Sequence, residues 1–110
     1  MGWLSRRKRR PGTLRTATSA DLDHLSHFVR SRDGVEAYLE PRTAVTDTTV
    51  VLVAASGEWT RRRIDGVAGA KAFAKKQQIP LYEVERVGYP HRMRQWTQQR
   101  KERGTRDEKP

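Results

Sequence analysis

The chain has 110 residues, which is enough for one hydrophobic core and too few for two, so we expect a single domain. With 23 Lys or Arg against 13 Asp or Glu its formal net charge is +10, a balance typical of proteins that bind phosphate-bearing partners. The chain has no cysteine, which excludes disulfides and thiol catalysis, and no apolar run suited to a membrane span or secretory signal, so we expect a cytoplasmic protein.

The charge is divided unevenly along the chain. Residues 1–15 hold six cations and no acid, residues 16–60 hold three cations and seven acids, and residues 61–110 hold fourteen cations and six acids. This segregation favours an oriented binding face over a uniformly solvated surface. The predicted organisation is a flexible basic arm over 1–17, one α/β domain over 18–100 and a disordered charged tail over 101–110.

The first predicted element is a helix over 19–32. Thr18 followed by Asp21 forms a capping pattern, and apolar residues then recur at helical spacing until Gly34 ends the run.

Two strands are predicted next. Alternating apolar and polar residues from Val35 to Glu40, ahead of Pro41, indicate a short, half-exposed strand at a sheet edge. The continuous β-branched run over 48–55 indicates a strand covered on both faces at the centre of the sheet.

A hairpin follows this central strand. Ser56-Gly57 marks a tight turn, and 58–64 is the returning strand. The pleat of this strand places Trp59, Arg61 and Arg63 on one face and Thr60, Arg62 and Ile64 on the other.

The last three elements complete the order α-β-β-β-α-β-α, an α/β fold with a small mixed sheet, or an α+β fold as the alternative. A helix capped by Asp65 ends near Gln78, and its predicted buried stripe is Val67, Ala70, Phe73 and Ala74. A strand over 81–87 then gives a crossover unit. The final helix, from Pro90, docks through Met93 and Trp96, and its second half projects into water as a basic rod.

Basic and aromatic residues form the candidate binding site. Its predicted nucleic-acid-binding residues are Trp59, Arg61, Arg62, Arg63, Lys71, Lys75, Lys76, Arg92, Arg94, Arg100 and Lys101. Arginine forks match phosphate geometry and aromatic rings stack on unpaired bases, so the partner is expected to be RNA or DNA, with the ribosome as one setting. Three consecutive arginines on a strand cannot all face water, so Glu83 and Glu85 or an external phosphate are the expected partners.

The sequence also contains other candidate sites. The arm over 3–10 could also settle on an anionic membrane surface, and Trp59, Tyr82, Tyr89 and Trp96 could form an apolar patch for a partner protein. His24 and His27 are too few to define a metal site, and His91 is expected at the surface. We expect no cofactor and no catalytic residue, and the sequence leaves the oligomeric state open.

The element order resembles that of two known families. The first five elements resemble a double-stranded-RNA-binding domain, in which Lys71, Lys75 and Lys76 would be the basic residues of the second helix. The full order resembles the restriction-endonuclease-like nucleases, with Asp47 and Glu58 as the candidate acids of a degenerate hydrolase, although Glu58-Trp59-Thr60-Arg61 departs from the acid-x-Lys pattern of that family.

A third resemblance covers residues 48–96. Gly57-Glu58-Trp59-Thr60-Arg61-Arg62-Arg63 and Gly88-Tyr89-Pro90-His91-Arg92-Met93 resemble segments of small basic α/β proteins of actinobacteria. This resemblance implies no particular activity.

Overall fold

A four-stranded mixed sheet with helices on both faces is the architecture of the computed structural model, which describes residues 17–108, with side chains up to residue 103. The elements are α1 (Ser19–Ser31), β1 (Glu36–Glu40), β2 (Thr49–Val53), β3 (Trp59–Arg63), α2 (Gly66–Gln77), β4 (Leu81–Glu83), α3 (Val84–Val87) and α4 (His91–Glu108). The predicted fold class and element order are confirmed, with the one-turn helix α3 in addition. The predicted arm over 1–17 lies outside the described residues except for residue 17.

Helix α1 begins with the capping box that the sequence predicted. The Asp21 backbone N–H donates to the Thr18 hydroxyl at 3.1 Å, and the Thr18 N–H donates to the Asp21 carboxylate at 3.0 Å. These reciprocal bonds satisfy two donors that a helix start otherwise leaves open.

The strand order is β3-β2-β1-β4. Strand β2 pairs antiparallel with both β1 and β3, and β4 pairs parallel with β1. The central position predicted for β2 is confirmed, since Val50 to Val53 are all buried. The edge position predicted for β1 was wrong, because β4 pairs along its other side and buries Ala37, Tyr38 and Leu39. Within the described part of the chain, β3 and β4 are the edges.

Two apolar clusters lie on opposite faces of the sheet. On one face, helices α1 and α2 pack against the side of β2 that carries Val50 and Leu52. Leu25 and Phe28 of α1 and Ala70 and Phe73 of α2 belong to this cluster. We call this side the two-helix face. On the other, the α4 face, a smaller cluster joins Tyr38, Val51 and Val53 to Met93, with Trp59 packed against it.

The predicted pleat of β3 is confirmed by its pairing with β2. Trp59 pairs with Val53 and Arg61 with Val51, so both lie on the α4 face, and the neighbouring Thr60 pairs with Leu52 on the two-helix face.

Three details of the later elements differ from the prediction. Val67 is 47% exposed and takes no part in the buried stripe of α2. The strand expected over 81–87 ends at Glu83, because the chain turns into α3 at Val84 and only three residues pair with β1. Helix α4 continues to Glu108, past residue 100, where the folded region was predicted to end.

Candidate nucleic-acid interface

Arg61, the first of the three consecutive arginines, is held by Glu40 of β1. Its Nε lies 2.7 Å from one carboxylate oxygen and its terminal nitrogen lies 2.9 Å from the other, a two-point contact that matches the guanidinium fork. Thr49 donates to the same carboxylate at 2.6 Å, and the Tyr89 hydroxyl donates to it as well. Burial raises the pKa of Glu40, but these hydrogen bonds outweigh it and the net pKa lies below the usual value.

The other two arginines also face carboxylates. Arg62 reaches Asp21 of the α1 capping box at 4.0 Å, and Arg63 reaches Asp47 at 3.8 Å. The latter contact is incomplete, since Asp47 Oδ1 and Arg63 Nε are buried without a hydrogen-bond partner. Arg61 and Arg62 are equally accessible, with 44% and 45% of their side chains exposed, and Arg63 is less so at 36%.

Of the partners expected for these arginines, Glu83 and Glu85 were therefore wrong, while an external phosphate stays a prediction. Glu83 lies 3.9 Å from Arg86, three residues further along the chain, and Glu85 is exposed on α3. The reason is the strand order: β4, which carries Glu83, lies at the edge of the sheet opposite β3. The carboxylates that meet the triplet come instead from β1, the β1–β2 loop and α1.

Arg92 anchors the first turn of α4. Its guanidinium donates to Glu36 at 2.6 Å and to the Ala54 carbonyl at 2.9 Å, and Tyr38 donates to Glu36 at 3.1 Å. The hydrogen bond from Arg92 is the main cause that lowers the pKa of Glu36. Arg92 is thus engaged within the fold, although the sequence placed it among the phosphate contacts.

The β2–β3 turn holds the same helix at close range. Gly57 is buried with a φ of +96°, and a Cβ there would overlap the Arg92 carbonyl oxygen and lie 2.9 Å from the Cβ of Trp96. The Trp59 indole N–H donates to the Thr97 hydroxyl at 3.0 Å. Trp59 is half-buried in this contact, with the Arg61 guanidinium 5.4 Å from its ring centroid, so its ring is not an open stacking platform.

Beyond Thr97, the described side chains of α4 are all exposed. The exposed residues of the helix are His91, Arg94, Gln95, Gln98, Gln99, Arg100, Lys101, Glu102 and Arg103. Arg100 lies over the Trp96 ring at 5.1 Å. The predicted docking through Met93 and Trp96 is confirmed, since Met93 is 9% exposed and Trp96 is half-buried.

The lysines of α2 lie on the other side of the molecule. Lys71, Lys75 and Lys76 are exposed, and α2 covers the two-helix face of the sheet, whereas α4 covers the opposite face. The predicted binding residues therefore do not converge on one surface. They form an α2 group, an α4 group and a set of arginines bound within the fold.

A cleft of about 400 Å³ lies beside the Arg61–Glu40 contact, lined by Glu40, Thr46, Asp47, Thr49, Arg61 and Tyr89 among others. Burial and the Glu40 carboxylate raise the pKa of Tyr89. Glu40 is thus kept ionised and Tyr89 protonated, each bound to the other. This arrangement stabilises the end of the sheet.

The acids proposed for a nuclease site are not brought together. Asp47 precedes β2 and Glu58 precedes β3, and the antiparallel register sets them at opposite ends of the hairpin, roughly 15–20 Å apart. Glu58 is bound by Arg32 through two contacts of 2.7 and 3.0 Å. Among the described residues, no group of three or more His, Asp or Glu is arranged to hold a metal ion.

His24 of α1 faces β3. Its Nε2 is 2.6 Å from the Thr60 hydroxyl, and burial, reinforced by Arg62, lowers its pKa. The neutral imidazole is therefore the favoured form, consistent with a packing role for this residue.

The aromatic residues considered as a docking patch are split by the fold. Trp59 and Trp96 are half-buried between α4 and the sheet, while Tyr82 and Tyr89 are 37% and 39% exposed near α3. They do not form one continuous apolar surface with α4.

No family model matches the chain, and comparison with curated proteins and with solved structures gives no match either. The resemblances noted in the sequence therefore stay predictions. Across residues 17–108, none of the helices combines the length and apolar character needed to cross a membrane.

Sequence reasoning missed the polar outward side of α4. It singled out the cations of this helix, yet Gln95 and Gln98 lie at the same exposed surface as Arg94. The helical period, counted from the docked Met93, is the signal that could have found them.

Proposed function

We propose that the protein binds nucleic acid without catalysis, and that α4 is its principal contact surface. The observation that carries this proposal is a helix fixed to the sheet at one end and exposed beyond it, with cations left for an external partner. Over residues 98–108, α4 extends by roughly 16 Å at 1.5 Å per residue.

The distribution of cations supports α4 over the sheet. The guanidinium groups of Arg61 and Arg92 are each hydrogen-bonded to a carboxylate at less than 3 Å. Contact of either arginine with a phosphate would therefore have to break an existing ion pair. The exposed Arg94 and Arg103 have no such competitor within the described part of the chain. Arginine contacts to phosphate are charge-assisted and attract a polyanion from a distance.

Charge elsewhere in the sequence adds to the attraction. Residues 1–15 contribute six cations and no acid, and six of the eleven acids between residues 17 and 103 lie within 4.0 Å of an arginine. The net charge available to a polyanion is thus concentrated in the sequence preceding α1, in α2 and in α4.

The test compares two triple variants of the full chain that remove equal charge. One carries Arg94→Gln, Arg100→Gln and Arg103→Gln on α4. The other carries Lys71→Gln, Lys75→Gln and Lys76→Gln on α2. Binding to a labelled 20-base-pair DNA duplex and to a single-stranded RNA of equal length is measured by fluorescence anisotropy over a salt series, with circular dichroism as the folding control.

Phosphate contacts release counterions, so the affinity of the unmodified chain should fall steeply with salt. The α4 variant should lose about two to three units of the slope of log affinity against log salt, and the α2 variant should lose less than one. Equal losses would show that net charge alone governs binding and would reject α4 as the surface. A flat salt response of the unmodified chain would reject nucleic-acid binding itself.

A further inference from the structure

We infer that the outward face of α4 reads base edges in the major groove of double-stranded DNA. This inference rests on the proposed function and narrows it to one partner and one mode of contact. The outward face consists of His91, Arg94, Gln95, Gln98 and Glu102.

The docked side of α4 fixes which residues can reach a partner. Met93, Trp96 and Thr97 face the sheet, and residues in a helix advance by about 100° each. Gln98, Glu102 and the neighbouring Gln95 therefore lie on the side of the helix that faces away from Met93 and Trp96. From His91 to Glu102 the face extends by roughly 16 Å, which matches about five base-pair steps of 3.4 Å.

The side chains on this face match the hydrogen-bonding pattern of the major groove. Glutamine can donate to and accept from adenine, arginine can donate twice to guanine, and glutamate can accept from the amino group of cytosine. Gln98 and Glu102 are already joined at 3.3 Å, so one orients the other. The face carries no apolar residue that would suit a protein partner.

The cation on this face lies at one of its borders. At about 100° per residue, Arg94 lies about 60° from the centre of the face, whereas Arg103 lies about 20° from Trp96 and so on the side of the sheet. A helix about 10–12 Å across that enters a groove about 12 Å wide brings its flanks against the two phosphate backbones. The border that carries Arg94 is therefore placed to contact one backbone while the polar centre of the face meets the bases.

RNA fits this helix less well. The major groove of an A-form helix is too narrow for side chains to read, and single-stranded RNA is recognised largely by stacking on open aromatic rings. The two indole rings on the α4 side of the sheet are engaged, since Trp59 is bonded to Thr97 and Trp96 lies under Arg100.

The experiment is a selection from a randomised DNA duplex library with the full chain, followed by anisotropy on the enriched duplex and on a scrambled duplex. The double variant Gln95→Ala and Gln98→Ala is compared with Lys71→Ala and Lys75→Ala on α2. Alanine favours helix at all four exposed positions, so both variants should fold.

A consensus of about four to five base pairs should emerge, bound at least about 10-fold more tightly than the scrambled duplex. The glutamine variant should lose this preference while its affinity for the scrambled duplex changes by less than 2-fold, and the lysine variant should keep the preference. Binding without any consensus, or tighter binding to RNA than to duplex DNA, would overturn the inference and leave the proposed function standing. Absence of binding to DNA and RNA alike would reject both.

Discussion

Replacing Gly57 by Ala should detach α4 from the sheet, because this residue sits where the β2–β3 turn meets the helix backbone. A methyl group at this position would overlap the Arg92 carbonyl oxygen, which cannot give way as a flexible side-chain end would. The overlap can be relieved only if the turn or the helix moves. Either movement separates Met93 from the sheet.

The expected loss has two parts. A non-glycine residue at positive φ costs about 1–2 kcal/mol whatever its surroundings, and Gly57 has a φ of +96°. Withdrawing Met93 from the second core cluster costs roughly another 1.5–3 kcal/mol in lost apolar burial. We therefore expect G57A to lower the free energy of unfolding by about 2.5–5 kcal/mol, measured by urea denaturation followed through tryptophan fluorescence.

Gly66 provides the matched control. Its φ is +67°, and nothing lies within 4 Å of a Cβ built there. G66A should therefore show only the backbone cost of about 1–2 kcal/mol. If the two variants were equally destabilised, the contact between the turn and α4 would contribute nothing and the account of how this helix is held would be refuted.

Three further predictions concern the ion pairs and His24. Glu40→Gln should lower the free energy of unfolding by about 1–3 kcal/mol, since it removes a charge that accepts from three side chains, whereas the exposed Glu85→Gln should change it little. Glu36, Glu40 and Glu58, which are paired with arginines, have lowered pKa values in the fold. Their contribution to stability should therefore be complete above about pH 5 and be lost as the pH falls through those lowered values. A melting temperature that rises on acidification from pH 5 to pH 3 would contradict this. The pKa of His24 is also lowered, so its part of the stability should be present above about pH 6.5 and decline below it. H24Q should therefore reduce the change in melting temperature between pH 7 and pH 5, and an unchanged difference would contradict this.

Local patterns were enough to predict most of the elements. The capping pair Thr18 and Asp21, the apolar run of β2 and the turn at Gly57 each carry their signal within a few residues, and each was found where expected. The interior position of β1 was missed because it depends on pairing with β4, about 40 residues away, which leaves no mark in the β1 sequence.

The candidate site was less predictable for the same reason. Which carboxylate meets Arg61 depends on the register that sets β1, β2 and β3 side by side, and the sequence of β3 does not specify it. The separation of the α2 lysines from the α4 arginines depends on which face of the sheet each helix covers. By contrast, the projection of α4 beyond Trp96 was readable, because no apolar residue follows at helical spacing.

The two edge strands of the sheet, β3 and β4, determine how readily a strand of another copy could pair with it. At β4 only three residues are available for pairing before helix α3 begins. At β3 an added strand would lie beside three consecutive arginines, Arg61, Arg62 and Arg63. Short or densely charged borders discourage the strand-to-strand stacking that begins aggregation. The arginine triplet is therefore expected to disfavour the pairing of a further strand along β3.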